Sequence, residues 1–134
     1  MVYFFINLII HIAVSVFLLG GMLRFIRMNR TRKNRKGLTF FMPVVCVAIF
    51  SFHAFTNTLP KMADIPAMVQ STYQPMKSGI VESVGWFNNT VVIDGVKYYF
   101  NPFAYKPVVG DHLNISATEY AKYIAHFSIV ELKE

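Results

Sequence analysis

The sequence predicts a membrane α+β protein: a two-helix transmembrane hairpin followed by a small five-stranded antiparallel β-barrel of the OB or SH3-like kind. Two long apolar segments without a charged residue predict the helices. A basic cluster between these segments predicts the direction in which the hairpin crosses the bilayer. Short alternating segments, separated by turn signals, predict the barrel in the C-terminal half.

The composition of the 134-residue chain excludes several classes of protein. Hydrophobic residues make up 54% of it and charged residues 15%, so the chain is too apolar to be disordered. The single cysteine, Cys46, cannot form a disulfide within the chain. The chain is also too short for a large enzyme with separate cofactor and substrate domains.

The transmembrane hairpin is predicted over residues 1–59, with helices at about 3–23 and 38–59. Both apolar runs are uncharged, and each has 21 or 22 residues. At a rise of about 1.5 Å per residue, each helix matches a hydrocarbon thickness of about 30 Å. A cleaved signal peptide would carry its positive charges before the apolar core, whereas here they follow it.

The loop at 24–37 carries most of the positive charge and predicts the orientation. The first 59 residues contain seven basic and no acidic residues, whereas the rest of the chain has a net charge of −1. Lys and Arg near membrane ends are retained in the cytoplasm, so we expect this loop inside and the N-terminus and C-terminal domain outside. Binding of nucleic acid or anionic lipid is the less favoured interpretation of the loop. The predicted topology determinants are Arg24, Arg27, Arg30, Arg32, Lys33, Arg35 and Lys36.

Polar side chains share a face within each predicted helix. Asn7, His11 and Ser15 recur every four residues in the first helix. His53 and Asn57 have the same spacing in the second helix. Such groups form interhelical hydrogen bonds in lipid, or they line a path for protons or ions. We favour hydrogen bonds that hold the hairpin or an oligomer, because neither helix contains Asp, Glu, Lys or Arg, the residues that usually mark a transport path.

The C-terminal half is predicted to contain a linker, 60–78, and an extracytoplasmic β-domain, 79–134. Prolines interrupt the linker, in which a short amphipathic helix on the membrane surface is the alternative. Asp94-Gly95 is the strongest hairpin signal, and Asn88-Asn89 predicts another turn. The predicted strands are 80–87, 90–93, 96–100, 112–118 and 122–132. Five short strands favour a small curved barrel over a sandwich.

No catalytic motif points to an enzyme. GxSxG, HExxH, CxxC and a phosphate-binding glycine loop are absent from the sequence. Asp111, His112 and His126 could be combined into a metal site, but a turn explains Asp111 and a polar strand face explains His112. We therefore expect no enzymatic activity, no cofactor and no metal. Nucleic acid is not an expected partner either, because the predicted β-domain is not basic and lies outside the cell.

The predicted function is that of a non-enzymatic interaction module in the cytoplasmic membrane. The hairpin would anchor the β-domain at the outer face, where the domain contacts a larger envelope protein. Tyr and Trp dominate such contacts, with charged residues at the rim. The predicted contact residues are Trp86, Tyr99 and Tyr105, with Lys97 and Lys106 at the rim.

Two biological forms of this function fit the sequence equally well. One is an immunity or superinfection-exclusion factor, which needs only to occupy an entry machine at the outer face. The other is an accessory subunit of an envelope complex. A different class of function, kept as the alternative, is a small homo-oligomeric pore or effector lined by Asn7, His11 and Ser15.

Overall fold

The computed structural model describes residues 1–31 and 37–130 of the chain. The chain forms two compact units. The first, which we call the helical unit, is Phe5–Met62. The second, the sheet unit, combines Met1–Phe4 with the chain from Ala63 onward.

Two stretches, Val2–Arg30 and Met42–Gln70, are helices long and apolar enough to cross a membrane. The first is one uninterrupted helix, α1 (Val2–Arg30), which contains no proline. Its last turn carries Arg27 and Arg30, whose positive charges are favourable at the negative end of the helix dipole. The two long apolar helices of the predicted fold are therefore found.

The second helical stretch is assembled from several pieces and runs further than the sequence predicts. It is preceded by the short α2 (Gly37–Phe40), and its elements are α3 (Met42–His53), a π-helical turn (Ala54–Thr58), α4 (Leu59–Ala63) and α5 (Ile65–Gln70). The predicted linker begins at Pro60, whereas the helical structure continues to Gln70 and ends at Ser71, whose φ is 54°.

The positions of the prolines explain this extension. Pro43 and Pro66 lie in the first turns of α3 and α5, where the missing N–H group has no helical partner to lose. Pro60 follows the π-helical turn, in which the N–H of Leu59 reaches back five residues to the carbonyl of Ala54. This wider turn relieves the crowding that a proline causes in a regular α-helix.

Five antiparallel strands form one sheet in the order β3-β2-β1-β4-β5. They are β1 (Lys77–Val84), β2 (Thr90–Ile93), β3 (Val96–Tyr99), β4 (His112–Ala117) and β5 (Ile124–Ile129). The first part of β1 pairs with β4 and its last part with β2, with a register shift between Val81 and Ser83. Such a bulge bends a strand and increases its twist, so β1 can serve two different partners.

The sheet is open, so the predicted closure into a barrel is not found. Among the described residues, the edge strands β3 and β5 are linked by one isolated parallel bridge between Tyr99 and Tyr123. There the N–H of Tyr99 donates to the carbonyl of Lys122 at 2.9 Å. Apart from this bridge, no pairing between β3 and β5 is found in the described part of the chain, so the two edges do not form a ladder.

Alternating residues of the strands form the core of the sheet unit. In β4, Leu113, Ile115 and Ala117 are buried while their neighbours are half-buried, as the alternation in the sequence predicts. Val84, Tyr105 and Phe127 pack against this core from its margin. The buried members are Val81, Val91, Ile93, Tyr98, Phe100, Leu113, Ile115, Ala117 and Ile124.

Candidate functional site

The turn between β1 and β2 presents two adjacent aromatic side chains to solvent. Trp86 is 100% exposed and Phe87 is 82% exposed. The N–H of Gly85 donates to the carbonyl of Thr90 at 2.8 Å, and the N–H of Asn88 donates to that of Gly85 at 2.8 Å. We call residues 85–90 the aromatic turn. Asn88 has a φ of 49°, so the chain turns near the predicted Asn88-Asn89, but β1 ends at Val84 and the turn already begins at Gly85, inside the predicted strand 80–87.

The backbone of the aromatic turn is held in place on both sides. The N–H of Phe100 donates to the carbonyl of Asn89 at 3.1 Å, which ties the turn to the end of β3. A Cβ atom at Gly85 would collide with the side chain of Thr90, so this close approach requires glycine. A partner that covers Trp86 and Phe87 would therefore spend little free energy on ordering the backbone. Exposed apolar side chains of this size are characteristic of contact surfaces.

Tyr99 lies at the same end of the sheet as the aromatic turn, and Lys97 lies two residues before it on β3. Tyr99 pairs with Thr90 across the β2–β3 ladder, and Thr90 is the last residue of the turn. The Nζ atom of Lys97 is 6.0 Å from the centre of the Tyr99 ring, within range of a cation–π interaction. Trp86, Tyr99 and Lys97, which the sequence predicts as contact residues, thus belong to neighbouring elements of the sheet.

Tyr105 and Lys106 lie elsewhere, in the loop between β3 and β4. The hydroxyl of Tyr105 donates to the carboxylate of Asp111. The centre of the Tyr105 ring lies 4.6 Å from the centre of the Phe127 ring. Burial, together with this hydrogen bond, raises the pKa of Tyr105 to about 12. The Tyr105 side chain thus takes part in the internal bonding of its loop, while Lys106 is exposed.

Asp111 organises the other end of the same loop. Its Oδ2 atom also accepts a hydrogen bond from the backbone N–H of Val108 at 2.9 Å. The hydrogen bond from Tyr105, followed by that from Val108, lowers the pKa of the Asp111 carboxyl. The preceding residue, Gly110, has a φ of 96°, a conformation that favours glycine.

The helical unit contains a row of polar side chains between its two long helices, which we call the polar seam. His11 Nδ1 lies 3.4 Å from His53 Nε2, and the two ring centres are 5.1 Å apart. Ser15 Oγ lies 3.2 Å from Thr58 Oγ1 and also 3.0 Å from the carbonyl oxygen of His11, to which it donates. Ser15 and Thr58 are both buried. The seam therefore joins α1 to the second helical stretch by hydrogen bonds.

Thr58 was not expected in the polar seam, and the π-helical turn explains why. A regular α-helix places residue i+4 on the face of residue i, and this periodicity predicts Asn57 beside His53. In the π-helical turn, hydrogen bonds span five residues, so Thr58 takes that place. Asn57 is half-buried and donates to its neighbour Thr56 at 2.8 Å, and Asn7 is half-buried in α1.

Basic residues lie at both ends of the helical unit. Arg24, Arg27 and Arg30 line an open recess of about 470 Å³ near the end of α1, and all three are exposed. At the other end Lys61 is buried in α4. The sequence did not mark Lys61 as part of the polar face. Four of the predicted topology determinants lie outside the described residues: Arg32, Lys33, Arg35 and Lys36.

A buried carboxylate in the sheet unit is a second feature that sequence patterns missed. Asp64 is 1% exposed and precedes α5. Its Oδ1 atom accepts from the N–H of Tyr120 at 3.1 Å, and its Oδ2 atom accepts from the N–H of Ala121 at 2.6 Å. Ser116 adds a further bond to this segment, from its Oγ atom to the carbonyl of Gln74 at 2.7 Å. The chain from residue 64 to residue 76 is therefore attached to the sheet.

Two of the three residues considered for metal binding, Asp111 and His126, are engaged in other contacts. Within residues 1–31 and 37–130, no three or more His, Cys, Asp or Glu side chains form a group that could hold a metal ion. Asp111 is occupied by Tyr105 and Val108, and the His126 ring contacts Tyr73 edge-on at 5.3 Å. The expectation that the protein uses no metal stays a prediction.

No family model matches the sequence, and no similar protein was found among curated proteins or solved structures.

Proposed function

We propose that the protein is a membrane-anchored interaction module that binds a larger envelope protein through its aromatic turn. Two helices would span the cytoplasmic membrane, with the arginine-rich loop in the cytosol and the sheet unit on the outer face. The length and apolar composition of Val2–Arg30 and Met42–Gln70 support the anchoring. The positive charge after α1 supports the orientation.

The observation that carries the proposal is the full exposure of Trp86 on a turn fixed by backbone hydrogen bonds. A Trp side chain buries about 150–250 Å² when it is covered, and Trp is among the residues most enriched in binding hot spots. Here the sheet unit forms its core without Trp86 or Phe87. The side chains of Trp86 and Phe87 are therefore available to a partner. Lys97 and Tyr99, on β3, can add polar contacts.

The alternative function, a pore lined by polar helix faces, has less support. A pore would need His11 and Ser15 to point into a channel between copies of the chain. In the helical unit these side chains instead contact His53 and Thr58 of the same chain. Hydrogen bonds of this kind stabilise a hairpin, which favours an anchor over a conducting assembly.

Site-specific photo-crosslinking in living cells tests the proposal. A photoreactive phenylalanine analogue at Phe87 is expected to capture one envelope protein, because the side chain lies within the contact. The matched control is the same analogue at Tyr120, an exposed aromatic residue between β4 and β5, which should capture far less of that protein. Substitution of Trp86 by Ala in the Phe87 analogue protein should remove the crosslink.

The identity of the captured protein also separates the biological forms of the module. Capture of an uptake or injection machine supports an immunity or superinfection-exclusion factor. Capture of a constitutive envelope assembly supports an accessory subunit. Crosslinks from Phe87 that join only copies of this chain would contradict the proposal and favour the oligomeric alternative.

A further inference from the structure

The loop between β3 and β4 contains a further strongly exposed aromatic side chain, Phe103. This side chain is 90% exposed, although the backbone around it is well fixed. The N–H of Phe103 donates to the side-chain oxygen of Asn101 at 3.1 Å, and the N–H of Ala104 donates to the carbonyl of Asn101 at 3.0 Å. Tyr105 anchors the loop further on through Asp111. Phe103 is thus displayed by a rigid loop.

Within the sheet unit, this loop lies beside the start of α1. The ring of Phe103 meets the ring of Tyr3 edge-on, with 6.5 Å between the ring centres. Phe4, which is buried, makes a similar contact with Tyr123 at 5.2 Å. Met1 and Ala104 also line the same small cavity of about 130 Å³. The residues Met1–Phe4 and the loop therefore form one packed region of the sheet unit.

The sequence of α1 sets the depth of this region relative to a bilayer. No charged side chain occurs between Val2 and Leu23, so the apolar part of the helix starts in its first turn, which contains Tyr3. Aromatic rings near the ends of membrane helices lie at the level of the lipid headgroups. If Tyr3 lies there, its contact partner Phe103 would lie at that same level. The exposed Phe103 ring would then meet lipid and not bulk water.

An exposed cation in the loop fits the same neighbour. Residues 100–111 contain one lysine, Lys106, and one acidic residue, Asp111, whose carboxylate accepts hydrogen bonds from Tyr105 and Val108 within the loop. Lys106 is exposed, and its long side chain can reach the phosphate groups of lipids while its methylene groups stay near the acyl region. The loop thus combines a fixed aromatic ring with a positive charge, as segments that lie in the membrane interface do.

We propose that the β3–β4 loop is a lipid-binding element, which inserts Phe103 into the interface of the bilayer that α1 crosses. The occupant of this surface is lipid, and Lys106 contacts the headgroups. The inference rests on the membrane anchoring in the proposed function, but it assigns Phe103 a different neighbour from Trp86. The aromatic turn stays free for a partner protein, and the β3–β4 loop holds the sheet unit against the membrane.

Tryptophan fluorescence in vesicles tests this assignment, because Trp86 is the only tryptophan of the chain. The full chain, with Phe103→Trp in a Trp86→Phe background, is placed in phosphatidylcholine–phosphatidylglycerol vesicles with plain or brominated acyl chains. We expect a blue-shifted emission that loses most of its intensity in brominated lipid. The unaltered protein, which reports on Trp86, should show water-like emission and little quenching in both lipids. A Tyr120→Trp, Trp86→Phe variant serves as a second exposed-site control.

Flotation of the same vesicles separates failure of the inference from failure of the proposed function. If the protein floats with the vesicles but brominated lipid does not quench the tryptophan at position 103, the lipid contact is refuted while the anchoring stands. A crosslink from position 103 to another protein in cells would refute it in the same way. If the protein does not float at all, both proposals are wrong. Circular dichroism of each variant checks that the fold is kept.

Discussion

The Oδ2 atom of Asp64 lies 2.6 Å from the backbone nitrogen of Ala121, and both groups are buried. Together with the bond from the N–H of Tyr120 to Oδ1, this contact attaches the segment that enters α5 to the turn between β4 and β5. A carboxylate that accepts two backbone N–H groups forms strong, charge-assisted hydrogen bonds. We therefore regard Asp64 as the residue that fixes the beginning of α5 to the sheet.

Replacement of Asp64 by Ala is expected to destabilise the sheet unit by about 1–3 kcal/mol, because it leaves buried N–H groups without an acceptor. Asp64→Asn keeps one carbonyl oxygen and should be less damaging. The control is Glu119→Ala, which removes an exposed carboxylate close to the same turn. The difference is measured by urea denaturation of the full chain in detergent micelles. Limited proteolysis of the sheet unit serves as the probe of unfolding. Equal stability of Asp64→Ala and Glu119→Ala would contradict the role of Asp64.

The contact between Tyr105 and Asp111 predicts sensitivity to acid. The pKa of Asp111 is lowered from its ordinary value of 3.8 in the folded protein. Its contribution to stability is therefore complete above the unfolded-state pKa and is lost as the pH falls through the folded-state pKa. At pH values below about 4, we expect the native chain to unfold at a lower urea concentration than at neutral pH. In Asp111→Asn this part of the decrease should be absent.

Tyr105→Phe provides the complementary test of the same contact. It removes the hydroxyl that contributes most to the low pKa of Asp111, while the ring can still pack on Phe127. The acid-dependent loss of stability should become smaller than in the native chain. An unchanged pH dependence in both variants would show that this contact does not contribute to stability.

The polar seam predicts an energetic coupling between Ser15 and Thr58. Hydrogen bonds between membrane helices contribute about 0.6 kcal/mol on average, so a double-mutant cycle with Ser15→Ala and Thr58→Val should give a coupling of about that size. The cycle is measured by thermal unfolding in detergent micelles. As a control, Ser15→Ala is combined with Thr56→Val, since the Thr56 hydroxyl is exposed and bonds to the carbonyl of Phe52 at 2.7 Å. A coupling with Thr56 as large as that with Thr58 would refute the seam.

Local signals in the sequence predicted much of the fold. Asp94 and Gly95 adopt φ values of 47° and 73°, and they join β2 to β3 as the hairpin signal indicates. The strand at 90–93 has the predicted bounds, and the alternation in β4 marks the buried side chains. These features depend on neighbouring residues alone, so a single sequence is enough to predict them.

Other features depend on contacts or geometry that local patterns do not report. The π-helical turn shifts the helix face by one residue, which is why Thr58 and not Asn57 joins the polar seam. Asp64 finds its partners 56 and 57 residues later in the chain, a separation that no short motif encodes. The closed barrel was predicted from the number of strands, but among the described residues β3 and β5 meet only at the bridge between Tyr99 and Tyr123, and the number of strands does not report how far a sheet curls. The predicted contact residues were chosen because they are Trp, Tyr or Lys. The structure then shows that Tyr105 lies in a different loop from Trp86 and makes contacts within that loop.

The orientation of the chain in the membrane is the central claim, and cysteine labelling tests it most directly. In a Cys46→Ala background, a single cysteine is placed at Thr31, within the predicted basic loop 24–37, or at Glu119 in the sheet unit; both sites are exposed. A membrane-impermeant maleimide should label Glu119→Cys on intact spheroplasts, and Thr31→Cys only after the membrane is permeabilised. Labelling of Thr31→Cys before permeabilisation, with Glu119→Cys protected, would contradict both the orientation and the proposed role of the sheet unit at the outer face.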